Sequence, residues 1–308
     1  MTLRQRRRTL RARTKVAAAL AVAALAAGGL AACDFSSGAT AGRPSATSAR
    51  PSPSPSPTPE WDRSPRSLAA VGDSITRGFD ACTVLSDCPE VSWATGTDPG
   101  VNSLALRLLG PSGAAKRSWN VARSGADASD LPEQMARAAA HRPELVTVMI
   151  GANDACADTV DRMTPVEDFR ASFEAALARL RKGAPKAQVY VSSVPDLKRL
   201  WSVGRGDALG SRIWELGICA TMLGGAQDVS VQAQQRRDTV QERVVAYNGV
   251  LEDVCGKDDR CRYDGGAVFD YRFTQAQLSR WDWFHPGRDG QRRIAEIAYR
   301  NVTAAQAP

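Results

Sequence analysis

The chain has 308 residues, 43% hydrophobic and 24% charged, with seven cysteines and a formal net charge of +7. This is the composition of a globular protein, long enough for one large domain or two ordinary ones. The positive charge is local: residues 1–32 hold seven Lys and Arg and no acidic residue, which leaves 33 basic against 33 acidic residues elsewhere. A neutral remainder removes the main support for nucleic-acid binding.

Residues 1–32 carry a basic head, an Ala-rich apolar stretch from Val16 to Leu30, and then Leu30-Ala31-Ala32-Cys33. An apolar run this short is marginal for spanning a bilayer and reads as a signal peptide. Its ending resembles the lipobox of bacterial lipoproteins. That resemblance implies cleavage before Cys33 and a lipid on Cys33, which would anchor the exported chain to the outer face of the cytoplasmic membrane. Simple secretion, with Cys33 incidental, is the alternative. Residues 34–65 are almost all Ser, Pro, Ala, Thr, Gly and Arg, too poor in apolar surface to offset chain entropy. Residues 33–65 therefore read as a lipidated cysteine on a disordered tether, and 66–304 as the folded domain.

In that domain the apolar run Leu68-Ala69-Ala70-Val71 stops at Gly72-Asp73-Ser74 and resumes with helix-compatible residues. This is the pattern of a buried parallel strand handing over to a helix. Strands are predicted over 67–71, 118–121, 145–150, 188–194 and 267–271; helices are predicted over 102–109, 131–141, 166–182, 238–254 and 288–302. Alternation of the two predicts one three-layer α/β/α domain with a mostly parallel central sheet of about five strands. Residues 196–237 interrupt the alternation with a Trp- and Leu-bearing stretch too long for a structureless connection. It reads as an excursion over one end of the sheet, either a packed decoration or a wall that shapes the substrate site.

Setting Cys33 aside leaves six cysteines, an even number that suggests disulfides in an exported chain, with 15 possible pairings. Spacing favours Cys82 with Cys88 and Cys255 with Cys261, which leaves Cys156 with Cys219. The last bond would pin the excursion beside the loop after the third strand. Metal binding ranks below this reading, because there is no CxxC and neither histidine lies near a cysteine pair.

Four short segments fall at strand ends or before the last helix: Gly72-Asp73-Ser74, Ala122-Arg123-Ser124-Gly125-Ala126, Gly151-Ala152-Asn153-Asp154 and Trp281-Asp282-Trp283-Phe284-His285-Pro286. Together they resemble the four consensus blocks of the SGNH hydrolases, the GDSL lipase and esterase family, whose fold is flavodoxin-like. A serine hydroxyl is a poor nucleophile until an imidazole takes its proton, and the chain has two histidines. His141 sits at a predicted helix end and reads as a surface residue, which leaves His285 as the candidate base. The resemblance implies that Ser74 attacks the acyl carbonyl, that His285 accepts its proton and that Asp282 orients the ring. Some secreted members use a backbone carbonyl in place of that acid. It further implies an oxyanion hole made of the Ser74 and Gly125 backbone N–H groups and the Asn153 amide. Asp73 and Asp154 read as structural carboxylates that hold loops.

The function expected is hydrolysis of carboxylic acyl esters, of lipids or small molecules, by a serine esterase or lipase through an acyl-enzyme. No cofactor or metal is expected, the state expected is a monomer, and the membrane contact is the lipid on Cys33. A carbohydrate O-acetyl esterase using the same site is the close alternative. From a different class, the alternative is a non-catalytic solute-binding lipoprotein, which would need a pocket but no serine and histidine pair.

Overall fold

The buried apolar runs assemble into one parallel sheet of five short strands, β1 (Leu68–Gly72), β2 (Ser118–Asn120), β3 (Leu145–Met149), β4 (Gln188–Val191) and β5 (Cys261–Tyr263). The structure is a computed structural model and describes residues 60–308. The expected signal peptide, Cys33 and most of the expected tether lie outside the described residues. The strands are ordered β2-β1-β3-β4-β5, and β1, β3 and β4 are buried along their whole lengths. That is why they read in sequence as near-continuous apolar runs.

The described α-helices are α1 (Ser74–Arg77), α2 (Leu104–Arg117), α3 (Leu131–Ala140), α4 (Ala152–Ala155), α5 (Val166–Gly183), α6 (Leu197–Gly204), α7 (Ala208–Trp214), α8 (Ala220–Leu223), α9 (Val231–Cys255) and α10 (Arg288–Thr303). The chain steps one way from β1 to β2 and the other way from β2 onward. Right-handed crossovers then send α2 to one face, where it meets α10, while α3, α5 and α9 pack side by side on the other. The reversal at β1 opens a crevice at the carboxyl ends of β1 and β3, the place where such sheets hold ligands.

The structure departs from the sequence-based expectation in four places. The fifth strand is Cys261–Tyr263, not 267–271. Gly265 and Gly266, both in the left-handed region, turn the chain away from the sheet before Val268. The buried Asp264 carboxylate then holds that turn by accepting the N–H groups of Gly266 and Val268 at 2.9 and 3.1 Å. The helix expected over 102–109 starts at its Ser103 N-cap and runs on to Arg117 across a kink at Gly110-Pro111.

The helix expected over 238–254 begins at Val231, capped by Ser230. Its first turns looked like loop because Val231-Gln232-Ala233-Gln234-Gln235-Arg236-Arg237 is mostly polar. Arg237 is nevertheless fully buried, and it donates to the carbonyls of Met222, Gly225 and Asp228 while stacking over Trp201. Residues 60–65, assigned to the tether by composition, are tied to the domain. Trp61 Nε1 donates to the Val302 carbonyl at 2.9 Å, and the Arg262 guanidinium lies over the Trp61 ring.

Candidate active site

The turn after β1 is built by glycine and aspartate. Gly72 has φ of +140°, and a Cβ there would lie 2.2 Å from the Met149 carbonyl oxygen, so a side chain would force β1 and β3 apart. Asp73 follows as the N-cap of α1, its carboxylate accepting the Ile75 N–H at 2.9 Å. Ser74 is thereby fixed at the first position of the helix. Burial pushes the Asp73 carboxyl up to about 7, against the pull of the Ile75 N–H.

The facing wall is a closed loop. Leu278 and Pro286 pair as an antiparallel bridge, Ser279 N–H donates to the His285 carbonyl at 2.7 Å, and Trp283 N–H donates to the Ser279 carbonyl at 2.9 Å. This loop aims His285 at Ser74, with Nε2 2.8 Å from Ser74 Oγ and Nδ1 2.5 Å from Asp282 Oδ2. The other Asp282 oxygen accepts the N–H groups of Phe284 and His285 at 2.9 and 3.0 Å. Burial alone would raise Asp282, but the His285 hydrogen bond and charge, with those two N–H groups, outweigh it and hold the carboxyl below its usual range. Oxygens of Asp80 and Asp282 and a ring nitrogen of His285 lie within 4.8 Å of one another. Since both ring nitrogens are already engaged, His285 has no lone pair left for a metal ion.

Gly125 and Asn153 come to the same place from the ends of β2 and β3. Gly125 has φ of +79°, and a Cβ there would meet nothing within 4 Å, so backbone conformation and not crowding calls for glycine. The Gly125 N–H makes no hydrogen bond among the described residues. Asn153, on α4, donates one amide hydrogen to the Ala126 carbonyl at 2.8 Å. Its neighbour Asp154 accepts the Ala128 N–H at 3.1 Å, so both residues brace the loop after β2 against the loop after β3. Burial pushes Asp154 up to about 6.

Ser74, Gly125, Asn153 and His285 line one open cleft of about 330 Å³, walled on the excursion side by Ile218 and the Cys156–Cys219 disulfide. Disulfides also join Cys82 to Cys88 and Cys255 to Cys261. His141 takes no part in the cleft: it lies exposed at the end of α3, stacked on Trp119 at 4.6 Å.

The family profile for GDSL-like lipase/acylhydrolase matches residues 68–298, most of the chain. The chain belongs to that family. It is a carboxylic ester hydrolase. No curated protein matches it. Among solved structures it is similar to a catalytic mutant of an acetylxylan esterase from Geobacillus stearothermophilus, at 15% identity and a TM-score of 0.47 over 80% of this chain and 96% of that one. It is also similar to an extracellular lipase from Streptomyces rimosus, at 17% identity and a TM-score of 0.44 over 77% and 99% of the two chains. A phospholipase A1 from Streptomyces albidoflavus gives 19% identity and a TM-score of 0.44 over 78% and 100%.

In this GDSL-like acylhydrolase the motif residues are held by side chains outside the motifs, which the sequence did not single out. Gln134 on α3 is fully buried and pairs with both backbone groups of Gly72, at 2.7 and 3.0 Å. Gln291 on α10 is also fully buried, accepting the Trp93 N–H at 2.8 Å and donating to the Ile75 carbonyl at 2.9 Å. The available signal was a polar residue in register with the apolar stripe Ile294, Ala295 and Ala298. Trp214 on α7 donates its indole N–H to the Asp282 carbonyl at 2.9 Å. No local pattern announces that contact, because the excursion reaches the acid loop only in three dimensions.

Proposed function

We propose that Ser74 is the nucleophile, His285 the general base and acid, and Asp282 the group that orients His285. The observation that carries this reading is the unbroken relay of Ser74 Oγ, His285 and Asp282, at 2.8 and 2.5 Å across 211 residues of chain. Ser74 Oγ attacks the ester carbonyl while its proton passes to His285 Nε2. The negative charge that forms on the carbonyl oxygen faces the Ser74 and Gly125 N–H groups and the free amide hydrogen of Asn153. Collapse expels the alcohol, which takes the proton from His285 and leaves Ser74 acylated. Water then attacks the acyl group by the same route, with His285 again accepting and returning a proton.

A small, partly open apolar cavity of about 30 Å³, walled by Ile75, Leu197, Leu200, Phe273 and Phe284, lies against His285. Its apolar lining favours a short acyl group over a sugar. The test is hydrolysis of p-nitrophenyl esters from acetate to longer chains by the wild type and by Ser74→Ala. Turnover by the wild type is expected to fall to background in the variant, and equal rates in both would sink the assignment.

We also propose that the chain is exported and held at a membrane through lipidated Cys33, acting as a monomer. Three disulfides support an oxidising compartment, and the lipobox resemblance supports the anchor. Cys33→Ser is expected to move the protein from the membrane fraction to the medium.

A further inference from the structure

Asp80 is a buried carboxyl that the relay described above does not use. Only 2% of it is exposed, and its Oδ1 has no hydrogen-bond partner. The surrounding chain holds it in place. Asp80 sits in the left-handed region, at φ of 56°, and its N–H donates to the Ser86 carbonyl at 3.0 Å inside the loop closed by the Cys82–Cys88 disulfide. Its carbonyl accepts the hydroxyl of Ser279 at 2.6 Å, and Ser279 belongs to the loop that carries Asp282 and His285. One loop thus presses a second carboxyl against the first: oxygens of Asp80 and Asp282 lie within 4.8 Å of each other and of the His285 ring.

Two buried carboxyls so close do not both carry a charge at little cost. Asp282 is the one favoured as the anion, because His285 and two backbone N–H groups face it. We propose that Asp80 is a positioning residue of the active site: it keeps the proton and donates its O–H to the Asp282 carboxylate, fixing the orientation of that carboxylate toward His285. This inference rests on the Ser74, His285 and Asp282 reading. In support, burial, followed by the Asp282 charge, pushes the Asp80 carboxyl up to about 6.

The other charges bordering Asp80 are Arg280, Arg288 and Asp289. Arg288 pairs with Asp98, Asp289 with Arg292, and Arg280 lies over the Trp281 ring. On its own loop, Asp87 pairs with Arg77 at 2.9 Å. Asp282 and His285 are therefore the groups free to respond to its proton.

The experiment compares Asp80→Asn, whose amide still donates but never ionises, with Asp80→Ala, which leaves Asp282 without that donor. On a p-nitrophenyl ester, Asp80→Ala is expected to lower kcat at least about tenfold with KM within about twofold, the signature of misorientation and not of lost binding. Asp80→Asn is expected to restore kcat to within about threefold, because its amide supplies the donor that the protonated carboxyl supplies in the wild type. Thermal melts confirm that both variants fold. Wild-type kcat in Asp80→Ala would overturn the inference, as would equal loss in both variants. Activity surviving Ser74→Ala would instead overturn the reading on which it rests.

Discussion

In the proposed mechanism few atoms separate a structural from a chemical role at Asn153. One amide hydrogen braces the Ala126 carbonyl, and the other is proposed to meet the charge that forms during ester cleavage. Asn153→Ala is expected to lower kcat by about 10² to 10³ with a small change in KM, measured at saturating ester. Asp282→Asn should cost at least about 10² in kcat, because an amide does not stabilise the imidazolium; near-full activity would remove Asp282 from the relay. That these residues meet was legible because their types are rare in such contexts: with two histidines in the chain, the choice of candidate base was nearly forced. Asp80 was not legible. An aspartate just past a helix end looks like ordinary turn chemistry, and its proximity to Asp282 depends on the Cys82–Cys88 loop folding back.

The strands that lead into Ser74, Gly125 and Asn153 were read nearly to their ends, since buried strands write their apolar run into the sequence, whereas the short helix α4 that carries Asn153 was not predicted. The failures lie where polar residues do structural work. β5 is three residues of Cys, Arg and Tyr, held by a short disulfide and by Arg262 donating to the carbonyls of Asn301 and Ala304. The start of α9 was lost because an internal cation satisfies carbonyls that a sequence reading leaves unpaired. The excursion is likewise built of three helices and the first turns of α9, and a disulfide ties it to the loop after β3. Closing 63 residues, the Cys156–Cys219 bond is expected to contribute about 4 kcal/mol, against about 2 for the six-residue Cys82–Cys88 loop. The paired Cys156→Ser and Cys219→Ser variant should therefore melt well below the Cys82→Ser and Cys88→Ser variant. The reverse order would show that the excursion holds its place without its bond.

Among the described residues, burial pushes four carboxyls up, Asp73 to about 7, Asp80 and Asp154 to about 6, and Asp264 as well. Each is protonated in the folded chain at pH values where it is ionised in the unfolded one. Between about pH 4 and their folded values the native state holds more protons, so their contribution to stability declines as pH rises. Asp73→Asn keeps the cap acceptor and removes one such proton. Its stability relative to wild type, from urea melts, should rise by up to roughly 1.4 kcal/mol per pH unit between pH 4 and 7 and level off above. A flat difference would show that Asp73 does not titrate in this way. The contact of Trp214 with the Asp282 carbonyl bears on any attempt to broaden the range of esters accepted. Gly204 lies against the Trp214 ring, and Gly210 against Trp283 beside the acid. The excursion therefore serves as a buttress from which the loop carrying Asp282 takes its shape, and an engineer who trimmed it to admit bulkier alcohols would loosen the proposed proton relay in the same cut.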